Sequence, residues 1–171
     1  MKFFMAIFLV IITAISIFAG CGAPQQACPK IGDIAPDFTL PGLDGKSISL
    51  SSFARKPVII NTWSINCISC KKEMPYFQEL YTKYSSSGLI VLMINTNDSI
   101  SEAKSFLSDK GYNFPVIFDT KWEVRNKKYC RTGDPSTFLI NSDGRITFIS
   151  PGEITSKELL FNEVNKILLP Q

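Results

Sequence analysis

Two cysteines separated by two residues are the part of this sequence best suited to chemistry. Cys67 and Cys70 follow an apolar run of strand-like composition and begin a segment with helical periodicity. Thiols at this spacing can close into a small disulfide that reopens easily. At a helix N-terminus, unpaired backbone N–H groups and the helix dipole favour thiolate over thiol. We therefore predict redox chemistry, in which Cys67 is the attacking nucleophile and Cys70 the resolving thiol.

A carboxylate lies one helical turn beyond the second cysteine. Glu73 follows Cys70 by three residues, so the two share a helix face. The resolving thiol must lose a proton, and a partly buried carboxylate with a raised pKa is suited to accept it. Spacing alone favours equally a surface carboxylate paired with a lysine. Lys71 and Lys72 are interpreted as solvated helix surface.

Composition excludes several kinds of site. The chain has 171 residues with no histidine, and its 18 Lys and Arg against 15 Asp and Glu give a formal net charge of +3. Histidine-based acid/base catalysis and histidine metal ligation are therefore excluded, and we predict no metal site. The mixed charges give no indication of nucleic-acid binding. No cofactor is expected beyond the redox-active cysteine pair itself.

The N-terminus has the pattern of an export signal. Lys2 precedes an almost unbroken apolar run that ends in Phe18-Ala19-Gly20-Cys21. We predict a signal peptide over residues 1–20 and, because this ending resembles a bacterial lipobox, lipidation of Cys21. An uncleaved anchor helix is the alternative, and it leaves the domain on the same side of the membrane. Both place the protein at the extracytoplasmic face of a bacterial membrane.

The rest of the chain has the length of one domain. Residues 21–33 lack periodicity and are predicted to be a lipidated tether, and residues 34–171 form the domain. Strands alternate with helices in its first part and a hairpin closes it, which predicts an α/β class with a mixed sheet. The predicted strands are 58–60, 89–94 and 116–118, with hairpins over 38–50 and 138–149. Predicted helices follow the cysteine pair and the capping pairs Ser99/Glu102, Thr120/Glu123 and Thr155/Glu158. The first helix is expected to bury Met74, Phe77, Tyr81 and Tyr84, and the second Ile100, Ala103, Phe106 and Leu107.

Short motifs across residues 31–168 carry a family resemblance. They are Ala35-Pro36-Asp37-Phe38, Asp44-Gly45-Lys46, Asn61 with Trp63, the cysteine pair, Lys72-Glu73-Met74-Pro75, Phe114-Pro115-Val116 and Pro135 to Ile140. Together they resemble the thioredoxin superfamily, and specifically the extracytoplasmic TlpA/ResA-type thiol-disulfide oxidoreductases. The resemblance implies a thioredoxin-like fold, with a central mixed β-sheet flanked by helices and an N-terminal β-hairpin extension.

The same resemblance implies roles for residues around the pair. It makes Glu73 the active-site acid/base, and Pro135 the cis-proline that lies beside the disulfide and offers backbone groups to an incoming peptide. The buried aspartate of thioredoxins is replaced here by Asn61, as in ResA-like proteins. We place the substrate-binding surface on Trp63, Asn66, Asp134 and Pro135.

Some positions depart from the family pattern. The family usually has tryptophan where Asn66 stands, and often proline where Ser69 stands. Because the residues between the cysteines tune the reduction potential, the direction of electron flow stays open. Asp134 is a further peculiarity, since its carboxylate either disfavours the Cys67 thiolate by like-charge repulsion or points into solvent.

Two cysteines remain besides Cys21 and the pair. Outside the cytoplasm such thiols commonly join, so we predict a structural disulfide between Cys28 and Cys130. The alternative is that Cys130, five residues before Pro135, is a functional third thiol near Cys67.

The resemblance implies a reductase of disulfides in exported proteins, with apocytochromes c as the best-known targets of the family. Electrons would come from a membrane thiol donor of the CcdA/DsbD type. The alternatives are a peroxiredoxin-like peroxidase, a dithiol oxidase and a non-catalytic thioredoxin-fold surface lipoprotein. The segment 62–66 lacks the motif spacing of a peroxidase, and a Sco-type copper chaperone would need a histidine.

Overall fold

A five-stranded mixed sheet forms the centre of the computed structural model, which describes residues 27–168. The predicted signal peptide, residues 1–20, and the predicted lipidation site, Cys21, lie outside the described residues. The strands are β1 (Thr39–Pro41), β2 (Ser47–Ser49), β3 (Val58–Trp63), β4 (Ile90–Asn95), β5 (Val116–Phe118), β6 (Ser136–Ile140) and β7 (Ile146–Ser150). The helices are α1 (Ile68–Tyr84), α2 (Ile100–Lys110), a π-helix (Glu123–Lys128) and α3 (Lys157–Leu168), with two short 3-10 helices at Leu50–Phe53 and Ser85–Ser87.

The order of strands in the central sheet is β5-β4-β3-β6-β7. Strand β3 pairs in parallel with β4 and antiparallel with β6, so the sheet is mixed, as predicted. Strand β3 is buried along its whole length because both faces of the sheet are covered. Alternate residues of the strands therefore face two separate apolar cores, one against α1 and α3 and one against the N-terminal segment.

Helix α1 begins directly after Cys67 and packs its apolar face on the sheet. Its buried residues are Cys70, Glu73, Met74, Phe77 and Leu80. Leu80 occupies the core position, whereas the predicted Tyr81 and Tyr84 are only half-buried at the margin. The prediction that α1 buries these two tyrosines is therefore only partly met.

The capping box predicted for α2 is present. The Ser99 hydroxyl accepts a hydrogen bond from the Glu102 N–H, and the Glu102 carboxylate accepts one from the Ser99 N–H. Ile100, predicted to be buried, is 38% exposed because it stands at the first helical position, outside the face that packs on the sheet.

The other two predicted caps lie on neighbouring residues. The π-helix is capped by the buried carboxylate of Asp119, which accepts hydrogen bonds from the N–H groups of Glu123 and Arg125. Helix α3 is capped by Ser156, whose hydroxyl accepts from the Leu159 N–H at 3.1 Å. The predictions for Thr120 and Thr155 were wrong because adjacent residues also carry capping side chains.

The N-terminal extension is a two-stranded antiparallel hairpin of β1 and β2, as predicted. Residues 27–33, assigned from the sequence to the tether, are held against the domain. Cys28 forms a disulfide with Cys130, and the Gly32 N–H donates to the Ile146 carbonyl at 2.8 Å. Across residues 27–168, none of the helices has the length and apolarity needed to cross a membrane.

Candidate active site

Cys67 and Cys70 form a disulfide at the point where the central strand passes into helix α1. Their Cα atoms are 5.2 Å apart. Cys67 is the N-cap of the helix, and its sulfur accepts a hydrogen bond from the Cys70 N–H at 3.1 Å. Cys70 is fully buried, whereas Cys67 is partly exposed. A partner can therefore reach the outer sulfur, while the inner one is reached only from within the protein.

Glu73 is buried one helical turn below the disulfide. Its Oε1 accepts a hydrogen bond from the Asn61 side-chain amide at 2.7 Å, and its Oε2 accepts one from the Ile154 N–H at 2.8 Å. Burial raises the pKa of Glu73 to about 7, against the opposing effect of these two hydrogen bonds. The carboxyl can therefore hold or release a proton near neutral pH.

The surface alternative for Glu73 is wrong. Its side chain has no exposed surface, and Lys71 and Lys72 are both exposed, as predicted. Lys72 forms an ion pair with Glu153 at 3.6 Å instead. Glu73 is buried because it lies on the face of α1 that also carries Met74 and Phe77 and packs on the sheet.

A groove of about 450 Å³ opens above the disulfide. It is lined by Ser64, Asn66, Cys67, Ile68, Ser69 and Asp134. The Asp134–Pro135 peptide bond is cis, as the resemblance implied, and Pro135 itself is buried. Two of the predicted substrate-binding residues, Asn66 and Asp134, thus lie in the groove with the outer cysteine.

Trp63 does not belong to this surface. The ring is fully buried and packs against Phe106, with 5.8 Å between the ring centroids. The position of Trp63 at the end of β3 turns it into the core under α1. Its prediction as a substrate-binding residue was wrong for that reason.

Asp134 points into the protein and not into solvent. Its side chain is 9% exposed, and its Oδ2 accepts hydrogen bonds from Thr96 Oγ1 at 2.5 Å and from Arg125 Nη1 at 3.1 Å. Sequence reasoning missed both partners. Thr96 follows strand β4 and Arg125 lies in the π-helix, and neither stands at a spacing that marks it.

The second disulfide joins the N-terminal segment to the loop before Pro135. Cys28 and Cys130 are 102 positions apart in sequence, and their Cα atoms are 5.4 Å apart. In this structure Cys130 is therefore bonded to Cys28, and the alternative in which it is a free third thiol near Cys67 does not hold.

The fold and the site define a class of protein. A thioredoxin-like sheet with a CxxC disulfide at the start of the helix after its central strand is that of a thiol-disulfide oxidoreductase. The chain belongs to the AhpC/TSA family, which it matches over residues 31–149, and within it to the ResA-type thiol-disulfide oxidoreductases.

Individual relatives support this assignment. The chain is 36% identical to thiol-disulfide oxidoreductase ResA of Bacillus thuringiensis subsp. konkukian over 130 residues, which cover 76% of this chain and 75% of the relative. It is 32% identical to ResA of Bacillus subtilis over 166 residues, which cover 96% of this chain and 90% of the relative.

A solved structure shows the same fold. A thiol:disulfide interchange protein described as DsbE, from Chlorobium tepidum, superimposes with a TM-score of 0.76 at 30% identity, over 82% of this chain and 99% of that one. The predicted thioredoxin-like fold, the family and the enzyme class are confirmed.

Proposed function

We propose that this protein is a membrane-anchored, extracytoplasmic reductase of disulfides in exported proteins, with apocytochromes c as substrates. The observation that carries the proposal is the Cys67–Cys70 disulfide, which opens to a groove on one side and has Glu73 buried on the other. The similarity to ResA proteins supports the chemistry.

The reaction follows from the different exposure of the two sulfurs. In the reduced protein, the Cys67 thiolate attacks one sulfur of the substrate disulfide, forms a mixed disulfide and releases the other substrate sulfur as a thiolate. Cys70 then passes its proton to the Glu73 carboxylate and attacks the Cys67 sulfur. The Cys67–Cys70 disulfide forms, and the substrate leaves with two electrons gained and two thiolates, which take up protons from water.

Return to the reduced state needs a dithiol donor. A membrane thiol carrier of the CcdA/DsbD type would open the Cys67–Cys70 disulfide by the same exchange, and Glu73 would return the proton to Cys70. The chemistry uses only sulfur, protons and one carboxyl group, so we propose that no cofactor takes part.

Anchoring through Cys21 would keep the domain close to the membrane. Cys28 is already held to the domain by its disulfide with Cys130. The seven peptide units between Cys21 and Cys28 reach at most about 25 Å when fully extended. Such a short tether would present the groove to a donor in the same membrane. Cys21→Ser should abolish the incorporation of labelled fatty acid into the protein in expressing cells, and labelling that persists in this variant would contradict lipid anchoring through Cys21.

The reduction potential of the full chain in detergent tests the direction of exchange. A value near that of thioredoxin, about −270 mV, is expected for a reductase, whereas a value near that of DsbA, about −120 mV, would identify an oxidase. The reduced protein should also open a disulfide-bonded peptide that contains a CxxCH sequence. Failure to reduce this peptide, or a potential at the DsbA end, would overturn the proposal.

A further inference from the structure

Asp134 places a buried negative charge in the wall of the active-site groove. It lines the groove together with Cys67, and its side chain is 9% exposed. The two carboxylate oxygens differ sharply in their surroundings. Oδ2 accepts hydrogen bonds from Thr96 and Arg125, whereas Oδ1 is buried and has no hydrogen-bond partner among residues 27–168.

The cation that partners Asp134 does not line the groove. Arg125 Nη1 is 3.1 Å from Oδ2, and the guanidinium carbon lies 5.5 Å from the centre of the Trp122 ring. Arg125 itself is not among the groove-lining residues. Of the two members of this ion pair, only Asp134 lines the groove that contains Cys67.

Backbone contacts fix the position of Arg125. The Arg125 N–H donates to Asp119 Oδ2 at 2.8 Å, and the Arg125 carbonyl accepts from the Arg131 N–H at 2.8 Å. Trp122 donates its indole N–H to the Thr96 carbonyl at 2.7 Å, which ties the same helix to the other partner of Asp134. The carboxylate therefore cannot swing into solvent without breaking several contacts.

A carboxylate in the wall of the groove that holds a thiol disfavours the thiolate. Like charges repel more strongly in a partly buried site than in water, because the surroundings are less polarisable. This effect opposes the helix N-terminus, which favours the Cys67 thiolate. The carboxylate charge is shared by both oxygens; the two donors to Oδ2 offset part of it, and Oδ1 has no donor that would offset more.

Besides the Arg125 partner of Asp134, three charged groups stand around the cysteine pair. Lys71, on the next turn of α1, is exposed, and its charge is screened by water and salt. Asp98 approaches from the loop after β4, but its Oδ2 accepts hydrogen bonds from the Ile65 N–H and the Asn95 side chain, both at 2.7 Å. Glu73 lies below, on the buried side of α1.

We propose that Asp134 is a positioning residue that acts through Cys67 and sets the direction of electron transfer. Reduction of the Cys67–Cys70 disulfide takes up two electrons and two protons, and the reduced form is stabilised when Cys67 can release its proton. By disfavouring that release, Asp134 keeps the dithiol a donor of electrons to substrate disulfides. This inference rests on the proposed reductase function and gives it a structural cause.

Asp134→Asn removes the charge while keeping the shape, and it is tested in the full chain equilibrated with a thiol-disulfide buffer. At pH 7 the thiolate fraction of Cys67, followed by ultraviolet absorbance, should rise about tenfold. The reduction potential should become about 30 mV more positive for each tenfold stabilisation of the reduced form. Asp143→Asn, an exposed carboxylate in the turn between β6 and β7, is the matched control and should change neither quantity.

Thr96→Val distinguishes the effect of the Asp134 charge from the effect of losing one of its hydrogen bonds. It removes one donor to Oδ2 but leaves the carboxylate charged, so the thiolate fraction should stay the same or fall. If Asp134→Asn changes neither quantity, or if Thr96→Val raises the thiolate fraction as much as Asp134→Asn does, the proposal is wrong. If Asp134→Asn does not fold, Asp134→Ser removes the same charge with a smaller side chain.

These measurements need no protein substrate. A wild-type chain that fails to reduce the CxxCH peptide would overturn the proposed function, whatever the variants do. A wild-type chain that reduces it, with Asp134→Asn unchanged in potential, would overturn only the role of Asp134.

Discussion

The side-chain amide of Asn61 donates a hydrogen bond to Oε1 of Glu73 over 2.7 Å and so joins the central strand β3 to helix α1. The same nitrogen also donates to Thr137 Oγ1 on β6 at 3.0 Å. The other oxygen of Glu73 is bonded to the backbone N–H of Ile154. Because neither donor carries a positive charge, burial outweighs both hydrogen bonds and raises the pKa of Glu73 to about 7.

Glu73→Gln should slow the step in which Cys70 resolves the mixed disulfide. In the wild type, only ionised Glu73 can accept the Cys70 proton, so the rate should rise with pH through about 7 and then level off. The variant should be slower by about 10² to 10⁴ and should lack this inflection. Single-turnover kinetics with a preformed mixed disulfide measure the step directly.

The matched control for that experiment is Glu79→Gln. Glu79 lies on the same helix but pairs with Lys157 at the surface, at 2.6 Å. Its removal should leave both the rate and the inflection unchanged. An inflection near pH 7 that persists in Glu73→Gln would assign the proton transfer to another group.

Glu73 should also make the stability of the fold depend on pH. Its pKa is raised from an ordinary value of 4.5 to about 7, so the native state holds a proton that the unfolded state has released. The contribution to stability is fully present below pH 4.5 and is lost as the pH rises through about 7. The shift corresponds to about 3 kcal/mol.

Urea unfolding of the wild type and Glu73→Gln at several pH values tests this linkage. The free energy of unfolding of the wild type should fall between pH 5 and 8 relative to that of the variant. The variant also loses one hydrogen bond, to Asn61 or to the Ile154 N–H, because glutamine has only one acceptor oxygen. This loss lowers its free energy of unfolding at every pH and does not affect the pH dependence. A constant difference between the two proteins across this range would contradict the raised pKa.

Asn61→Ala should move the pH dependence of the reaction upward. The variant loses the donor that favours the ionised form of Glu73, so the pKa of the carboxyl should rise above about 7. The inflection in the resolution rate should shift to higher pH, and the rate at pH 7 should fall. Thr137→Val is the control, since it removes the other acceptor of the Asn61 amide and leaves Glu73 untouched. An equal shift in both variants would mean that packing, not the hydrogen bond, is responsible.

Much of this arrangement is predictable from local sequence patterns. The cysteine pair, the position of Glu73 one turn on and the buried strand before them follow from spacing and apolar runs. The burial of Glu73 is not predictable in this way, because it depends on Asn61 and Ile154 from distant elements.

Other features escape sequence reasoning for the same physical reason. Trp63 lies on the face of β3 that packs in the core, and its position in a family motif does not reveal which face that is. Arg125, the partner of Asp134, stands in the π-helix Glu123–Lys128, a rare geometry with no clear sequence signal.

Cys67→Ser and Cys70→Ser should fail in different ways. Without Cys67 the partly exposed nucleophile is gone, so turnover and mixed-disulfide formation should both be abolished. Without Cys70 the attack still occurs but is not resolved, so a covalent complex with the substrate should accumulate. Non-reducing electrophoresis after incubation with a disulfide-bonded peptide distinguishes the two results. Turnover by both variants would refute the assigned roles of the cysteines.

The disulfide between Cys28 and Cys130 should act on stability and not on the exchange reaction. Replacing both by serine opens a link across 102 positions, and loss of a native disulfide typically lowers the free energy of unfolding by about 2–4 kcal/mol. The effect should be visible as a lower urea midpoint, with peptide reduction by Cys67 and Cys70 retained. Reductant added to the double variant Cys67→Ser/Cys70→Ser, where only this bond remains, should produce the same loss. If reductant leaves that midpoint unchanged, the bond does not stabilise the domain, and the Tyr129 hydroxyl to Pro36 carbonyl contact at 3.0 Å would suffice to hold the N-terminal segment.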